Sequence, residues 1–558
     1  MKAKKFLAVL LAMVLCVGAL AACDSKPADT TAPAAQSTTA PAAQDTTAPA
    51  AEDTTEAAPL TNVERYPIDF DGTLTAACGK GDAAEAHNYL LWEELTGVDI
   101  EWQPLAQDQL PLMFVGGAER PDIFFSVGGI TQAQLNEYGQ AGMLINYMDY
   151  LDQMPNLKAA YENDPRLFDA VKDANGDVYT LPYYCYTLTM ASNIFYIRTD
   201  MTKEAGIEEL PTTIEGFLEM CETLQNYYAD VEGYQPMVAN GEGSMRYNGA
   251  YCNFFFPAFG ELMEAGITVA LDNKTIAAGF ATEQYKNYVT FMNTLYEEGY
   301  MDPDCFVSDS NTNKARLIDK TTTMNPFATY LTPDNFASGE LDFQVMPALS
   351  SQYQSEARWT IPNRYRSVQY MISTDCSDLN AALALYDALF SPMEDPIKDE
   401  NGVKAWGISL WLGEMGEDFA LNEEEGPYEI LPHEGFDSGS AWLSVAGHGG
   451  AAYLNWPYYE NSGTGLMIKA IYSREMTDTY GVQVLSSSLL TLTQEEQDIY
   501  NDAWTDINTK VTEMNAAFIT GQKDIEAEWD SYIKDLYDMG LQDVIDVYQA
   551  ALDRYNAG

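Results

Sequence analysis

The chain has 558 residues, of which 46% are hydrophobic and 12% aromatic. This length is well beyond the roughly 250–300 residues at which one hydrophobic core stops growing, so a single small domain is excluded and at least two lobes are expected. Eighty-four acidic against 29 basic residues give a formal net charge of −55, which argues against nucleic acid as a partner because a polyphosphate would be repelled. The acidity is typical of a well-solvated extracellular surface.

Residues 1–22 have the pattern of an export signal peptide. Lys2, Lys4 and Lys5 form a basic start, and an apolar run of 15 residues follows at 6–20. A membrane-spanning helix needs about 20 apolar residues, and no other uncharged apolar run approaches that length. We therefore expect the remainder of the chain to be soluble and to lie outside the cytoplasm.

The export signal ends in Leu20-Ala21-Ala22-Cys23, which resembles the lipobox of bacterial lipoproteins. The resemblance implies that the Cys23 thiol carries a diacylglyceryl group, with acyl chains such as palmitate. Two acyl chains on one residue anchor a protein stably, whereas one chain is marginal. The alternative is an ordinary secretory signal with an incidental cysteine, which the position of Cys23 directly after the apolar run disfavours.

Residues 23–62 form a spacer in which TTAPAAQS, TTAPAAQD and TTAPAAED follow one another. A run of Thr, Ala and Pro has almost no large apolar side chain, so it cannot build a core and is predicted to be a disordered linker. As a flexible coil it would reach on the order of 35 Å. It would let the domain stand away from the membrane.

Cysteines in the domain itself show no C-x-x-C pair and no clustered framework. A large core needs no covalent staple, so we expect buried free thiols, although an even number of cysteines in an exported protein leaves disulfides open. These residues are Cys78, Cys185, Cys221, Cys252, Cys305 and Cys376.

Helix and strand patterns alternate along the domain. GTLTAAC predicts a strand, GKGD a turn and AEAHNYLLWEELTGVDIEW a helix followed by a strand, with Gly97 ending the helix. A buried strand at 122–126 then opens into Gly128 and Gly129. Such alternation predicts parallel α/β sheets, whose ligand sites lie beyond the carboxyl ends of the strands. The acidic, amphipathic stretch 493–555 predicts helices that pack on the second lobe.

Six segments form a recognisable series along nearly the whole domain. They are LWEELTGVDIEW (91–102), ERPDIFF (119–125), YGQAGMLINYMDYLDQMPNL (138–157), DANGDVYTLPY (173–183), IFYIRTDMTKEAGIEELPTTIEGF (194–217) and EWDSYIKDLYDMGLQDVIDVYQAALDRY (528–555). In this order they resemble the family 1 extracellular solute-binding proteins of ABC importers, and among them the sugar-binding lipoproteins of Gram-positive bacteria.

The resemblance implies a two-lobed, periplasmic-binding-protein-like (type II) α/β fold with hinge crossings and a helical C-terminal region. It also implies a monomer without cofactors, and a permease and an ATPase on separate chains. Crossings between the lobes are expected near 190–193, near 345–347 and after the turn at 391–402. The lobes assigned in this way are residues 63–190 plus 346–400 for lobe 1 and residues 191–345 plus 401–558 for lobe 2.

Sugar ligands favour aromatic clefts with polar edges, because sugar rings present C–H faces that pack on aromatic rings and hydroxyls that need directed partners. Three short segments combine aromatic residues with Asn or Gly: YYCYTLTM (183–190), YNGAYCNFFFPAFG (247–260) and YLNWPYYENSG (453–463). For any single aromatic residue, core packing is the commoner role. The candidate ligand-binding residues in these segments are Tyr183, Tyr184, Tyr251, Asn253, Trp456 and Tyr458.

The family resemblance places further ligand contacts on loops at strand ends. In this sequence it points to Lys80 and Asp82 after the first strand, and to Ser126 and Gly128 after DIFF. Arg364, near the second crossing, is suited to donate paired hydrogen bonds to a hydroxyl or a carboxylate. A salt bridge between the lobes is the alternative role for Arg364.

Asp173, Asn175 and Asp177 alternate as the ligands of a calcium loop do. The match then fails, because Val178 stands where the loop needs glycine and Tyr184 where it needs glutamate. A hairpin turn at the Asn-Gly pair within this segment is predicted instead, and no metal site.

Catalytic motifs are scarce. His87, His433 and His448 lack metal-ligand spacing, and no nucleophile or phosphate-loop motif occurs. A carboxylate pair for glycoside hydrolysis stays open, since such a pair is defined by its separation in space.

We therefore expect a lipid-anchored receptor on the extracellular face of the cell membrane, which captures an oligosaccharide and presents it to an ABC permease. Two alternatives remain: a surface-anchored glycoside hydrolase or lyase, and a solute-binding protein for peptides or cations.

Overall fold

The computed structural model describes most of the domain, and the structural statements below concern the described residues. These are 60–115, 119–185, 194–325, 342–361, 363, 365–367, 370–398, 402, 404–407, 409–422, 426–436, 439–447, 453–454 and 475–557.

The strands, in chain order, are β1 (Thr73–Cys78), β2 (Asp99–Pro104), β3 (Ile123–Phe125), β4 (Pro182–Cys185), β5 (Tyr196–Arg198), β6 (Gln235–Met237), β7 (Ile267–Val269), β8 (Ile276–Ala278), β9 (Thr322–Asn325), β10 (Phe343–Val345), β11 (Trp359–Ile361), β12 (Tyr365–Ser367), β13 (Met371–Ile372), β14 (Ile397–Lys398), β15 (Lys404–Ala405), β16 (Phe419–Asn422), β17 (Gly426–Ile430), β18 (Tyr453–Leu454) and β19 (Gly481–Gln483).

The α-helices are α1 (Asn62–Arg65), α2 (His87–Thr96), α3 (Leu110–Val115), α4 (Gln132–Gln140), α5 (Pro155–Asn163), α6 (Thr199–Glu204), α7 (Ile214–Tyr227), α8 (Gly241–Met245), α9 (Ala250–Phe255), α10 (Glu283–Glu297), α11 (Ser310–Ile318), α12 (Leu379–Asp387), α13 (Ser409–Leu412), α14 (Gly439–Ala446), α15 (Gln494–Ile519), α16 (Ile525–Asp538) and α17 (Leu541–Ala557).

The first lobe is built on a sheet of strand order β13-β3-β1-β2, in which β1 pairs in parallel with β2 and β3. Successive strand residues point to opposite faces, so Phe125 packs with Trp92 of α2 on one side while Phe124 packs with Phe114 of α3 on the other. Helix α2 ends at Gly97, which has φ +75° and lies so close to the 67–68 segment that a Cβ would touch it. The predicted order of strand, loop, helix and strand is confirmed.

The second lobe is built on a sheet of order β10-β5-β9-β6, with the hairpin β7–β8 beside it. Its core brings Phe195, Met292 of α10 and Trp529 of α16 together. Helix α15 begins with a capping box between Thr493 and Glu496 and, with α16 and α17, packs on this core. The helical C-terminal region expected from the sequence is confirmed.

Two of the three crossings between the lobes lie later than predicted. Residues 346–361, which we assigned to lobe 1, place Met346 and Trp359 in the core of lobe 2, so the second crossing falls between β11 and β12. Residues 401–410, which we assigned to lobe 2, place Ala405 and Leu410 in the core of lobe 1.

Strand β18 pairs with β4, and Met476 belongs to the core of lobe 2; the residues between them, 455–474, lie outside the described part of the chain. The lobe of these segments could not be predicted because a short strand has no sequence signal for the sheet that it joins. Its pairing with a distant strand determines the sheet. The first predicted crossing, 190–193, lies outside the described residues.

A small third cluster packs beside helix α2 of lobe 1. Its core consists of Trp406, Trp411, Leu412, Phe419, Ile430 and Leu443, with Tyr183 packed against it. The side-chain amide of Asn88 in α2 donates to the Trp411 carbonyl oxygen at 2.9 Å, which fixes the cluster to the helix.

Two histidines face one carboxylate at this junction. The Nε2 atom of His87 lies 2.8 Å from Asp418 Oδ2, and Nε2 of His433 lies 3.6 Å from Asp418 Oδ1. The His433 ring stacks on Trp442, with centroids 3.9 Å apart. The hydrogen bond to Asp418 raises the pKa of His87.

Five thiols are free in the described residues, and the prediction of free thiols is confirmed for them: Cys78, Cys221, Cys252, Cys305 and Cys376. All but Cys376 are buried, and burial raises the pKa of both Cys305 and Cys376 to about 12. The side chain of Cys185 lies outside the described part of the chain.

Within the described ranges, no helix is both long enough and apolar enough to cross a bilayer.

Candidate functional site

The loops that follow β1 and β3 meet at the carboxyl edge of the first sheet. A Cβ on Gly79 would lie 2.8 Å from the carbonyl oxygen of Ser126, so the two loops are in backbone contact. The loop after β2 joins them, because a Cβ on Gly129 would collide with the Gln107 carbonyl oxygen. The sequence-predicted residues of these loops, Lys80, Asp82, Ser126 and Gly128, therefore lie at one edge of the sheet.

The loop after β3 has an unusual backbone. Ser126, Gly128 and Gly129 have φ values of +50°, +69° and +80°. A left-handed conformation is unfavourable for serine, and residues in sparsely populated backbone regions cluster at binding and catalytic sites. The strain at Ser126 therefore supports a functional role for this edge.

An ion pair holds the loop after β1. The Lys80 ammonium lies 2.7 Å from Asp82 Oδ1, and the hydrogen bond from Lys80 lowers the pKa of the Asp82 carboxyl. Asp82 therefore stays ionised near neutral pH, and its side chain is 56% exposed. The pair presents one cation and one anion at the sheet edge.

Three adjoining cavities, which we call the groove, run from the α4 side of lobe 1 to lobe 2. The first has a volume of about 510 Å³ and is lined by Ile130 and Gln132 of lobe 1, by β12 and by Ser488. The second, of about 340 Å³, shares Gln132 and Ser488 with it and continues along α4 to the start of α15. The third, of about 290 Å³, shares Ser487 and Tyr548 with the second and lies in lobe 2. The groove thus has walls from both lobes.

The second crossing forms part of the groove's first cavity. Tyr365 of β12 pairs with Tyr184 of β4, their rings lie 5.4 Å apart, and the Tyr365 hydroxyl donates to Asp164 at 2.6 Å. Arg366, beside Tyr365, is exposed and lines this cavity. Of the tyrosines predicted from the sequence, Tyr184 thus sits at the crossing, while Tyr183 packs against the third cluster.

The lobe 2 wall of the groove is aromatic. Tyr500 and Trp504 lie one turn apart on α15 and stack with centroids 5.3 Å apart at 22°. Tyr548 of α17 meets Tyr500 edge to face at 5.7 Å, and Tyr247 closes the wall while its hydroxyl donates to Asn508 at 2.8 Å. Polar groups from the 248–253 segment and Glu264 complete the third cavity. Rings with polar neighbours form the surface that a sugar requires.

Glu264 is the carboxyl group of this third cavity. It is half-buried, and burial raises its pKa against a hydrogen bond from Thr268 that lowers it. Among the described residues that line the cavity, none is Lys or Arg. A carboxylate has two oxygens, so Glu264 keeps acceptor capacity beyond the hydrogen bond from Thr268.

Sequence reasoning missed Tyr500, Trp504 and Tyr548, because aromatic residues on an amphipathic helix normally pack into the core. A signal was present: the buried residues of α15 begin only at Ile507, so Tyr500 and Trp504 lie in the polar first part of the helix, where they are half-buried. Large rings that stay partly exposed on a helix indicate a binding surface.

The two residues predicted from the second aromatic segment, Asn253 and Tyr251, lie in different surroundings. Asn253 lines the third cavity, and its side-chain amide donates to the Asn248 carbonyl oxygen at 3.1 Å. Tyr251 is completely buried, and its hydroxyl donates to the Val238 carbonyl oxygen at 2.5 Å. In this structure Tyr251 is a core residue of lobe 2, because α9 turns its ring inward against Phe195.

The remaining predicted site residues, Arg364, Trp456, Tyr458 and Cys23, lie outside the described residues.

The predicted hairpin at 173–178 is present. The Asp173 carboxylate accepts the backbone N–H groups of Asn175 at 2.8 Å and Asp177 at 3.0 Å, and Gly176 has φ +91°. An Asx turn of this kind uses the carboxylate to stabilise the turn itself. Among the described residues, no group of three or more His, Cys, Asp or Glu side chains is arranged to hold a metal ion.

Comparison with known families supports the resemblance identified from the sequence. Residues 74–290 match the family model described as bacterial extracellular solute-binding protein. The fructooligosaccharide ABC transporter substrate-binding protein FusA of Streptococcus pneumoniae is 23% identical over 490 residues, covering 83% of this chain and 86% of FusA. Lipoprotein LipO of Bacillus subtilis is 29% identical over 175 residues, which is 31% of this chain and 32% of LipO. The resemblance to the solute-binding family is confirmed over residues 74–290.

Solved structures agree on the fold. The structure of Streptococcus pneumoniae FusA in complex with kestose superposes with a TM-score of 0.67 at 21% identity. The superposition covers 87% of this chain and 100% of the FusA chain. An HMO-binding, ABC-transporter-associated solute-binding protein from Bifidobacterium longum infantis gives a TM-score of 0.68 at 17% identity, covering 87% of this chain and 99% of that chain. The predicted two-lobed solute-binding-protein fold is confirmed.

Proposed function

We propose that this chain, a relative of the bacterial extracellular solute-binding proteins, captures an oligosaccharide in the groove and delivers it to the permease of an ABC importer. The observation that carries the proposal is the groove itself, which combines the aromatic wall of lobe 2 with polar residues of lobe 1 such as Gln132 and Asn136. The names of the relatives point the same way, since FusA is a fructooligosaccharide substrate-binding protein and was solved with kestose.

Capture in such a receptor requires a change in the equilibrium between open and closed lobes. A ligand that touches both walls binds the closed form better, and that difference in contact energy drives closure. Two part-buried hydrogen bonds are among the contacts between the lobes. The Tyr555 hydroxyl of lobe 2 donates to Asp169 of lobe 1 at 2.8 Å, and the Thr491 hydroxyl donates to the Lys172 carbonyl oxygen at 2.9 Å. Hydrogen bonds of this kind contribute about 1 kcal/mol each.

Residues 1–62 are proposed to export and tether the receptor. The lipobox-like residues 20–23 follow an apolar run, and LipO, which resembles a third of this chain, is named a lipoprotein. A lipid on Cys23 would hold the domain at the extracellular face, and the Thr/Ala/Pro spacer would give it reach. Replacing Cys23 with alanine should remove palmitate labelling and release the protein from the membrane fraction; an unchanged membrane fraction would contradict the anchor.

The test of the cargo is a thermal-shift screen of the domain from residue 61 onward. Neutral oligosaccharides, uronic-acid oligosaccharides, peptides and divalent cations are compared, because a ligand of the native state must raise the melting temperature by mass action. We expect a saturable shift with an oligosaccharide that is recovered unchanged. Hydrolysis of the sugar would favour an enzyme, and a shift with peptides or cations alone would overturn the sugar assignment.

A further inference from the structure

The third cavity carries information on which sugars are accepted. Of the described residues in its wall, one has a carboxyl group, Glu264, which stands with Tyr500 and Trp504, and none of them is cationic. The acidic residue three positions earlier, Glu261, is in a different situation: it pairs with Arg358 at 3.0 Å and its side chain is 79% exposed. Glu264 instead forms a side-chain hydrogen bond with Thr268.

We infer that Glu264 makes the third cavity a subsite for a neutral sugar ring, which it binds through a pair of ring hydroxyls and from which it excludes uronic acids. The inference rests on the proposed function and specifies its substrate class. Two carboxylate oxygens match two neighbouring hydroxyl donors, while the rings of Tyr500 and Trp504 offer apolar surface for the C–H face.

Exclusion of an acidic sugar follows from the same geometry. A uronate carboxylate in this cavity would meet Glu264, and no Lys or Arg among the described lining residues compensates either charge. Two like charges in a partly desolvated space repel each other. A neutral hydroxyl, in contrast, gives Glu264 a further donor beside Thr268.

The dimensions of the cavity fit this assignment. Small-molecule sites usually occupy about 300–1,000 Å³, and the third cavity, at about 290 Å³, lies at the lower end. It suits one small ring system, with the rest of an oligosaccharide extending into the adjoining second cavity of about 340 Å³. The cavity thus selects one unit of a longer ligand.

The test compares Glu264→Gln with Glu261→Gln in the full-length chain, purified in a detergent without a sugar headgroup. Calorimetry measures the affinity for a neutral fructooligosaccharide series and for an oligouronate series of matched length. We expect Glu264→Gln to weaken neutral-sugar binding about tenfold or more, since it removes hydrogen bonds to a charged group, and to bring oligouronate affinity closer to neutral-sugar affinity. Glu261→Gln should change neither.

A second variant keeps the inference testable if Glu264→Gln unfolds the protein. Trp504→Phe preserves an apolar ring, so binding should persist while the ligand-induced change in tryptophan fluorescence becomes smaller. Wild-type binding that is tightest for oligouronates, equal effects of the two glutamate variants, or an unchanged fluorescence response would overturn the subsite and leave the receptor function intact. Failure of every sugar to bind would overturn the receptor function, and the subsite with it.

Discussion

The strand-end edge of lobe 1, which we call the lobe 1 wall, and the aromatic lobe 2 wall of the groove are built by different means. The lobe 1 wall is shaped by backbone: the loops after β1 and β3 touch through Gly79 and Ser126, and left-handed residues set their path. On lobe 2 the wall is side chain: Tyr500 and Trp504 project from a regular helix. The difference teaches that substitutions on lobe 1 should damage the fold, whereas truncations on lobe 2 should damage binding and spare the fold.

The largest effect is expected from Gly129→Ala on lobe 1. A left-handed alanine costs about 1–2 kcal/mol, and collision with the Gln107 backbone adds about 1–3 kcal/mol, so the free energy of unfolding should fall by about 3 kcal/mol. Urea unfolding measures it. Gly142→Ala is the matched control, because Gly142 has φ +75° with open space around it and should lose only about 1 kcal/mol. Equal losses would show that close backbone packing does not shape this wall.

Trp504→Ala tests the lobe 2 wall. Loss of the ring should weaken oligosaccharide binding about tenfold, since an aromatic pair contributes about 0.5–1.5 kcal/mol beyond the area it covers. The unfolding free energy should fall by less than in Gly129→Ala. Calorimetry and urea unfolding of the same sample separate the two quantities. Tyr537→Ala, an exposed aromatic residue outside the three cavities, should leave the affinity unchanged; a matching loss there would indicate a general effect of ring removal.

Lys80→Met sharpens the comparison, because Lys80 would contact the ligand through its side chain although the loops around it are shaped by their backbone. Its ion pair with Asp82 is partly exposed and contributes at most about 1 kcal/mol to stability, whereas a lost hydrogen bond to the ligand should weaken binding about fivefold. The control is Lys203→Met, whose ion pair with Asp342 at 3.0 Å is on lobe 2. Binding that stays unchanged in Lys80→Met would remove Lys80 from the proposed contacts.

The smallest expected effect is on the pH dependence of stability, through the contact of His87 in α2 of lobe 1 with Asp418. Because the pKa of His87 is raised above 6.5, its stabilisation is fully present below pH 6.5 and is lost as the pH rises through the raised pKa. His87→Gln should therefore flatten the fall in melting temperature above pH 6.5. His433→Gln is the comparison variant, since its Nε2 lies 3.6 Å from Asp418. An identical pH profile for wild type and His87→Gln would contradict this account.

Much of the lobe 1 wall could be predicted from the sequence, because local signals determine it. Gly97 ends a helix and the glycines after DIFF require left-handed backbone, so strand ends and the loops beyond them can be located without a structure. The predicted Lys80, Asp82, Ser126 and Gly128 therefore lie together.

The lobe 2 wall could be predicted only in part, because its residues come from distant segments. Asn253 was found from its aromatic neighbours, but Trp504 is 251 positions away. They line one cavity because α15 packs on the segment just before α9, where Tyr247 donates to Asn508 and Asn515 donates to the Met245 carbonyl oxygen. Tyr251 was predicted to contact the ligand, but its ring is buried in the core. The face of the helix on which a residue lies sets the direction of its side chain, and the aromatic pattern of this segment did not reveal that face. The assignment of β11 to the wrong lobe has the same origin, as strand partners are chosen across the fold.

The inert thiols described above make the domain suited to optical measurement of lobe closure. Four of the five are buried, and those at Cys305 and Cys376 have pKa values near 12, so maleimide dyes should react slowly with them. With Cys185 replaced by serine, cysteines introduced at the exposed Leu112 of lobe 1 and Tyr537 of lobe 2 would be the preferred labelling sites. Energy transfer between two such dyes would follow the opening and closing of single molecules in real time, and would give the rate at which each cargo is captured and released.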